Sequence, residues 1–202
     1  MNNIPNKTKT MRTFLFNICL LVMISSLDVS SSLGQPANKK TNNPKNEIQY
    51  LSGIDKDNQV NWEFYCTGGS NQKKWTTIPV PSHWELHGFG TYNYGRENST
   101  LHSDEEGFYR YKFKIRDGLK NKRIYIVFEG SMTDTEVKVN GKSAGSIHQG
   151  AFYEFKYDIT RLINVQTENL LVVTVRKKSS NESENRTERY ADYWIFGGIF
   201  RP

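Results

Sequence analysis

Cysteine is scarce in this chain of 202 residues, which has only Cys19 and Cys66. Two cysteines exclude a disulfide scaffold and a cysteine-based zinc module, because both need several cysteines at fixed spacings. We therefore expect Cys66 to act as a small buried hydrophobe rather than as a nucleophile. Aromatic residues are plentiful at 13%, which excludes the composition of a disordered protein and predicts one globular domain.

The sequence also lacks an apolar run long enough to cross a membrane. Three basic residues precede a 14-residue apolar stretch, residues 14–27, whereas a spanning helix needs about 20 such residues. Small residues before Gln35 complete the layout of a cleavable secretory signal peptide. We predict a signal peptide over residues 1–34, no stable membrane insertion, and export to the periplasm or the extracellular space. A retained anchor is the alternative.

No uninterrupted basic stripe occurs, although the formal net charge is +6. Basic residues alternate with other types and with acids, as in residues 112–117, and we expect no nucleic-acid partner. Residues 35–46 contain proline, asparagine and lysine with almost nothing apolar, which predicts a flexible leader. The folded domain is then expected to span residues 47–202.

Apolar residues in this domain recur with a period of two rather than 3.6. Residues 109–115 alternate between apolar and basic, which predicts a strand with one buried face. Residues 124–128 are continuously apolar and predict a strand buried on both faces. Asn140-Gly141 is typical of a tight hairpin turn, and residues 158–163 give the one helical hint, a single turn capped by Asp158. Closely spaced strands without long helices between them predict an all-β fold, an antiparallel sandwich or jelly roll.

The sequence contains no motif that would by itself identify an active site. His83 and His87 have the spacing of zinc ligands on a helix, but Trp84 stands where the general-base glutamate of that motif would follow the first histidine. The acidic run of residues 104–106 is typical of a solvated turn rather than of a paired nucleophile and acid. There is no glycine-rich phosphate loop and no G-x-S-x-G elbow. We predict no catalytic residue and no cofactor in this chain.

Two segments combine aromatic and hydrogen-bonding residues at high density, residues 79–95 and residues 188–202. Aromatic rings stack on the C–H faces of sugars, while aspartate, asparagine and arginine bind sugar hydroxyls. The pattern therefore suits carbohydrate binding. The alternative is that the rings plug the ends of a sandwich, and the composition leaves both interpretations open.

A family resemblance is carried by these two segments and by the sequence between them. The matching stretches are V-P-S-H-W-E-L-H-G-F-G (80–90), G-F-Y-R-Y-K-F (107–113), F-E-G-S-M-T-D-T-E-V-K-V-N-G-K (128–142), H-Q-G-A-F (148–152), Y-D-I-T (157–160) and D-Y-W-I-F-G-G-I-F-R-P (192–202). Together they resemble the N-terminal sugar-binding domain of family 2 glycoside hydrolases, the family of β-galactosidases, β-glucuronidases and β-mannosidases. The resemblance implies a galactose-binding-domain-like jelly roll.

The resemblance further implies a retaining, β-galactosidase-like enzyme in which an immunoglobulin-like domain and a catalytic (β/α)₈ barrel follow the jelly roll. Neither module is present in these 202 residues. We therefore expect this chain alone to hydrolyse nothing. The signature at residues 192–202 ends before the strand that follows it in the family, so the jelly roll is expected to be incomplete at its C-terminal end.

Carried over by motif, Asp192 is expected to contact a terminal sugar hydroxyl and, in the full-length enzyme, a sodium ion. Asn93 is expected to contact substrate, although its local pattern departs from the family by one residue. Trp84, Trp194 and Arg201 are expected to be scaffold, with the arginine buried and paired.

The expected partners are an oligosaccharide or β-glycoside substrate and the missing downstream domains of the same enzyme. The first alternative is a stand-alone carbohydrate-binding or adhesion module without catalysis. The second is a degenerate gene fragment without activity.

Overall fold

The computed structural model describes residues 46–95, 104–119 and 121–202. The predicted signal peptide, residues 1–34, and all of the predicted leader except Asn46 lie outside the described residues. In the described part of the chain, no helix has both the length and the apolar character needed to cross a membrane.

Short strands dominate the described residues. They are β1 (Val60–Cys66), β2 (Thr76–Val80), β3 (Asn93–Tyr94), β4 (Glu106–Phe113), β5 (Tyr125–Phe128), β6 (Ser131–Met132), β7 (Asp134–Val139), β8 (Lys142–Ser143), β9 (Phe155–Asp158), β10 (Asn169–Arg176), β11 (Trp194–Ile195) and β12 (Gly198–Ile199). Two 3-10 turns cover Trp84–His87 and Asp117–Leu119, and one helix, α1, covers Glu182–Glu188.

Six strands form an antiparallel sheet in the order β2-β1-β4-β10-β7-β8. Alternate residues face the core, so that Phe64, Tyr109, Val173 and Val137 stand side by side across four neighbouring strands. All four are buried. The β5-β9 pair closes the core from the other side, since Ile126 of β5 belongs to the same buried cluster. The predicted all-β, antiparallel sandwich is confirmed.

Local sequence signals locate several elements correctly. The alternation in residues 109–115 falls on β4 and its end, where Tyr109 and Phe113 are buried. Asn140 and Gly141 have φ values of 51° and 78°, which fit the hairpin turn that joins β7 to β8. Cys66 is fully buried, as expected, and burial raises the pKa of its thiol.

Two local expectations are corrected by the structure. Strand β5 is buried on one face only, because Tyr125 and Val127 are each 43% exposed. The β5-β9 pair is an outer layer, so it has a solvent side. Helix α1 was not predicted. It begins after Asn181, whose side chain accepts a hydrogen bond from the Ser183 N–H at 3.0 Å.

Candidate functional site

The site is built around Trp84, which begins the first 3-10 turn and is fully buried. The turn ends at Gly88, whose φ of 80° lies in the left-handed region that favours glycine. Two further glycines, Gly107 and Gly197, lie against the indole ring, and a Cβ added at either would overlap it. The expected scaffold role of Trp84 is confirmed. Glycine is required at position 197, because only a residue without a Cβ lets residues 192–202 pack directly against the Trp84 ring.

A buried ion pair lies beside this tryptophan. The Lys177 ammonium is 2.7 Å from a Glu85 carboxylate oxygen, and both side chains are 0% exposed. The ammonium also donates to the Thr91 carbonyl at 2.6 Å and to Asn93 Oδ1 at 3.3 Å, and it lies 3.7 Å from Glu105. Burial raises the pKa of Glu85, and the nearby Lys177 charge opposes that rise. The sequence analysis missed this pair because Lys177 belongs to a basic run typical of a solvated surface.

The same glutamate joins the two aromatic segments to each other. The Gly197 N–H donates to both carboxylate oxygens of Glu85, at 3.0 and 2.9 Å. Backbone bonds extend the connection, from Trp84 N–H to the Gly197 carbonyl at 3.1 Å and from Ser82 N–H to the Ile199 carbonyl at 2.8 Å. Segments far apart in sequence therefore form one rigid unit.

The small sheet of β3 and β11 contains one predicted site residue, Asn93, and the other, Asp192, lies two residues before β11. Tyr94 pairs with Trp194, and Asn93 pairs with Ile195. Asn93 is buried, at 4% exposure, and within the described residues its Nδ2 has no hydrogen-bond partner. Asp192 is exposed and accepts a hydrogen bond from the Tyr94 hydroxyl. Of the two predicted residues, Asn93 therefore lies in the interior and Asp192 at the surface.

Three rings that contact one another lie next to Asp192, and we call Tyr92, Tyr94 and Trp194 the aromatic rim. Tyr92 and Trp194 are exposed and Tyr94 is half-buried. The Trp194 ring meets Tyr94 edge-on at 5.4 Å and Tyr92 at 6.2 Å between ring centroids. Trp194 is 51% exposed, so only part of its ring is used in the expected packing of the loop ends, against Tyr92 and Tyr94. Arg201 is exposed as well, with its guanidinium over the Phe200 ring at 5.3 Å, so its expected burial is wrong.

A groove of about 300 Å³ adjoins the rim. Its lining residues are His83, Met132, Phe152, Tyr193, Trp194, Phe196 and Phe200. The His83 ring stacks on Phe200 at 5.1 Å, and its Nδ1 is buried with no hydrogen-bond partner in the described ranges. Burial lowers the pKa of His83, so the groove contains a neutral imidazole at pH 7. Such a surface suits the apolar face of a sugar ring better than a charged group.

Metal ligands are sparse around this groove. Residues 46–95, 104–119 and 121–202 contain no group of three or more histidine, cysteine, aspartate or glutamate side chains that would hold a metal ion. The Asp192 carboxylate offers the hard oxygen that sodium prefers, but a cation needs several such ligands. These residues fit one ligand of a sodium site, not a complete site.

Comparisons with known proteins agree with this geometry. The family model described as "Glycosyl hydrolases family 2, sugar binding domain" matches residues 53–202. A β-galactosidase of Thermoanaerobacter pseudethanolicus is 38% identical over 95 residues, which are 46% of this chain and 12% of that protein. A β-galactosidase of Streptococcus thermophilus is 28% identical over 221 aligned residues, covering 97% of this chain and 20% of that protein.

A solved structure, a β-glucuronidase of Bacteroides uniformis, has the same fold over 69% of this chain and 16% of its own length, with a TM-score of 0.52 and 25% identity. This chain therefore spans between 12% and 20% of the length of these three proteins.

Proposed function

The chain belongs to glycoside hydrolase family 2 through its sugar-binding domain at residues 53–202, and we propose that it is the non-catalytic part of an exported, retaining, β-galactosidase-like enzyme. In this role the domain supplies a scaffold and a substrate-side surface to an active site whose acid and nucleophile belong to a barrel domain.

The buried network of Glu85 and Lys177 carries this proposal. It ties the two aromatic segments together and so fixes the position of the aromatic rim. Glu85 and Glu105 are both buried and both face the Lys177 ammonium. A glycosidase carboxylate must reach the scissile bond to protonate it or attack it. These two glutamates are held in the interior, which supports a structural role for them.

Asp192 and Trp194 are the proposed direct sugar contacts, and Asn93 is proposed to support them from the interior. The exposed Asp192 carboxylate accepts a hydrogen bond from a terminal sugar hydroxyl and gives one ligand to a sodium ion. The half-exposed Trp194 ring stacks on the sugar. Asn93 is only 4% exposed, and its Oδ1 accepts a hydrogen bond from the Lys177 ammonium at 3.3 Å, so we propose that it supports these contacts from the interior rather than meeting the sugar itself. Support comes from the pairing of β3 with β11, which brings these residues to one end of the fold.

The proposal is tested by incubating the full chain with chromogenic β-galactoside, β-glucuronide and β-mannoside. We expect no turnover of any of them. Turnover that disappears in Asp192→Asn or Glu105→Gln would overturn the proposal, since the chain would then have a catalytic carboxylate of its own. Turnover that survives both substitutions would indicate a contaminating glycosidase, which a repeat with a second purification removes.

A stand-alone carbohydrate-binding module is the second candidate, and the exposed rings of the aromatic rim favour it. Such a module must bind sugar tightly without any other domain. Glycan-array binding of the full chain, followed by calorimetry, distinguishes the two functions. Micromolar affinity supports the module, whereas millimolar affinity supports a domain that completes a site elsewhere.

A further inference from the structure

A second group of rings, one exposed and two half-buried, lies on the outer face of the six-stranded sheet, which faces away from the core. Tyr65 on β1 and Phe108 on β4 are directly opposite each other in register, with ring centroids 5.8 Å apart. Trp75, immediately before β2, lies 5.7 Å from Tyr65 and is 42% exposed. We call these three rings, together with Arg110, the outer platform.

Arg110 gives the outer platform a charged group held in place. Its guanidinium carbon lies 3.9 Å from the centre of the Trp75 ring, and the residue is exposed. A guanidinium whose face lies over an aromatic ring still has its N–H groups in its own plane, where they can bind a carboxylate. No salt bridge to Arg110 occurs within the described residues. The nearest acid across the strands is Glu63, which is opposite Arg110 in register.

The sequence beside the platform adds further positive charge. Lys73 and Lys74 precede Trp75 and are exposed, so three cations stand near one acid, Glu63. We propose that the outer platform binds an acidic oligosaccharide, with Trp75 and its neighbours stacking on sugar rings and Arg110 pairing with a uronate carboxylate. This site is separate from the aromatic rim and does not depend on the function proposed for the rim.

Charge on the rest of the face favours an acidic glycan over a nucleic acid. Farther along the same face, Glu106 pairs with Arg176 at 2.8 Å and Glu136 pairs with Lys138 at 2.8 Å. Their carboxylates interrupt any continuous basic track of the kind that follows a phosphate backbone. An acidic oligosaccharide needs only the positive end of the face, around Trp75.

Calorimetry on the full chain tests the proposal with three probes: an oligogalacturonate, a neutral galacto-oligosaccharide of the same length, and a single-stranded oligothymidylate. We expect the oligogalacturonate to bind at least about tenfold more tightly than either other probe, and its affinity to fall as salt rises. Trp75→Ala and Arg110→Gln should each weaken its binding about tenfold. Tyr125→Ala removes a ring that is equally exposed, at 43%, but lies on β5 in the opposite layer; it is the matched control and should leave the oligogalacturonate affinity unchanged.

Four results would overturn the proposal. They are no measurable binding of the oligogalacturonate, equal binding of the neutral probe, equal binding of the oligothymidylate, and unchanged binding in both platform variants. Urea midpoints of the variants check that they fold. The rim proposal is unaffected by any of these results, because it concerns other residues and another sugar.

Discussion

Replacing Lys177 with methionine removes the ammonium that lies 2.7 Å from Glu85 in an interior from which water is excluded. Methionine keeps the length of the lysine stem, so little cavity is created and the change is mainly electrostatic. Removing one partner of a buried ion pair costs about 3–5 kcal/mol, because the remaining charge has lost its compensation. For a domain of this size, such a loss lowers Tm by roughly 6–20 °C.

Urea unfolding followed by tryptophan fluorescence measures this loss, and the adjacent Lys178 offers a matched control. Lys178 is exposed, so Lys178→Met should change the free energy of unfolding by less than about 0.5 kcal/mol. Combining Lys177→Met with Glu85→Gln should recover part of the loss, since the buried Glu85 charge is then removed together with its partner and only Glu105 has lost the nearby ammonium.

The loss in free energy of unfolding caused by Lys177→Met should also depend on pH, and the direction of that dependence can be derived. Burial raises the pKa of Glu85 above its ordinary value of 4.5, and loss of the ammonium raises that pKa further. A carboxylate whose pKa is raised by folding destabilises the fold when it is ionised. Below its unfolded-state pKa the group is protonated in both states, so this destabilisation is absent. The deficit should therefore grow as pH rises from the folded-state pKa of Glu85 in the unmodified chain to the higher folded-state pKa of Glu85 in the variant. A deficit under about 1 kcal/mol at pH 7, or one equal to that of Lys178→Met, would refute the reasoning.

Three other outcomes follow from the sequence and the structure. Gly197→Ala should destabilise the domain by about 1–3 kcal/mol in urea unfolding, because its Cβ overlaps the Trp84 ring; a neutral effect would show that the ring moves freely. Trp194→Ala should change the free energy of unfolding by less than about 0.5 kcal/mol, because half of the side chain is exposed. A larger loss would show that the ring is part of the structural scaffold. Intact-mass measurement of the exported chain should give Gln35 as the first residue, and an uncut N-terminus would contradict the signal peptide.

Sequence patterns predicted the elements whose cause is local. The alternation along β4 and the Asn140-Gly141 turn each depend on residues next to one another, so a short window contains the whole signal. Strand β5 misled the prediction because a continuous apolar run does not reveal which face is covered. Helix α1, Glu182–Glu188, is polar all round and therefore gives no apolar stripe to detect.

The candidate site was predictable only as a pair of segments. Aromatic density identified residues 79–95 and 188–202, but the inward direction of Asn93 and the outward direction of Asp192 are specific to the folded chain. The contact between Lys177 and Glu85 joins residues far apart in sequence. Lysine and glutamate are rarely buried, so their types alone suggest a surface position.

The most direct test of the account is an NMR titration of the ¹⁵N-labelled full chain with a nitrophenyl β-galactoside, followed long enough to detect hydrolysis. We expect the amide signals of Tyr94, Asp192 and Trp194 to shift as sugar is added, while the glycoside stays intact. Release of nitrophenol by the chain, or shifts confined to residues away from the aromatic rim, would contradict it.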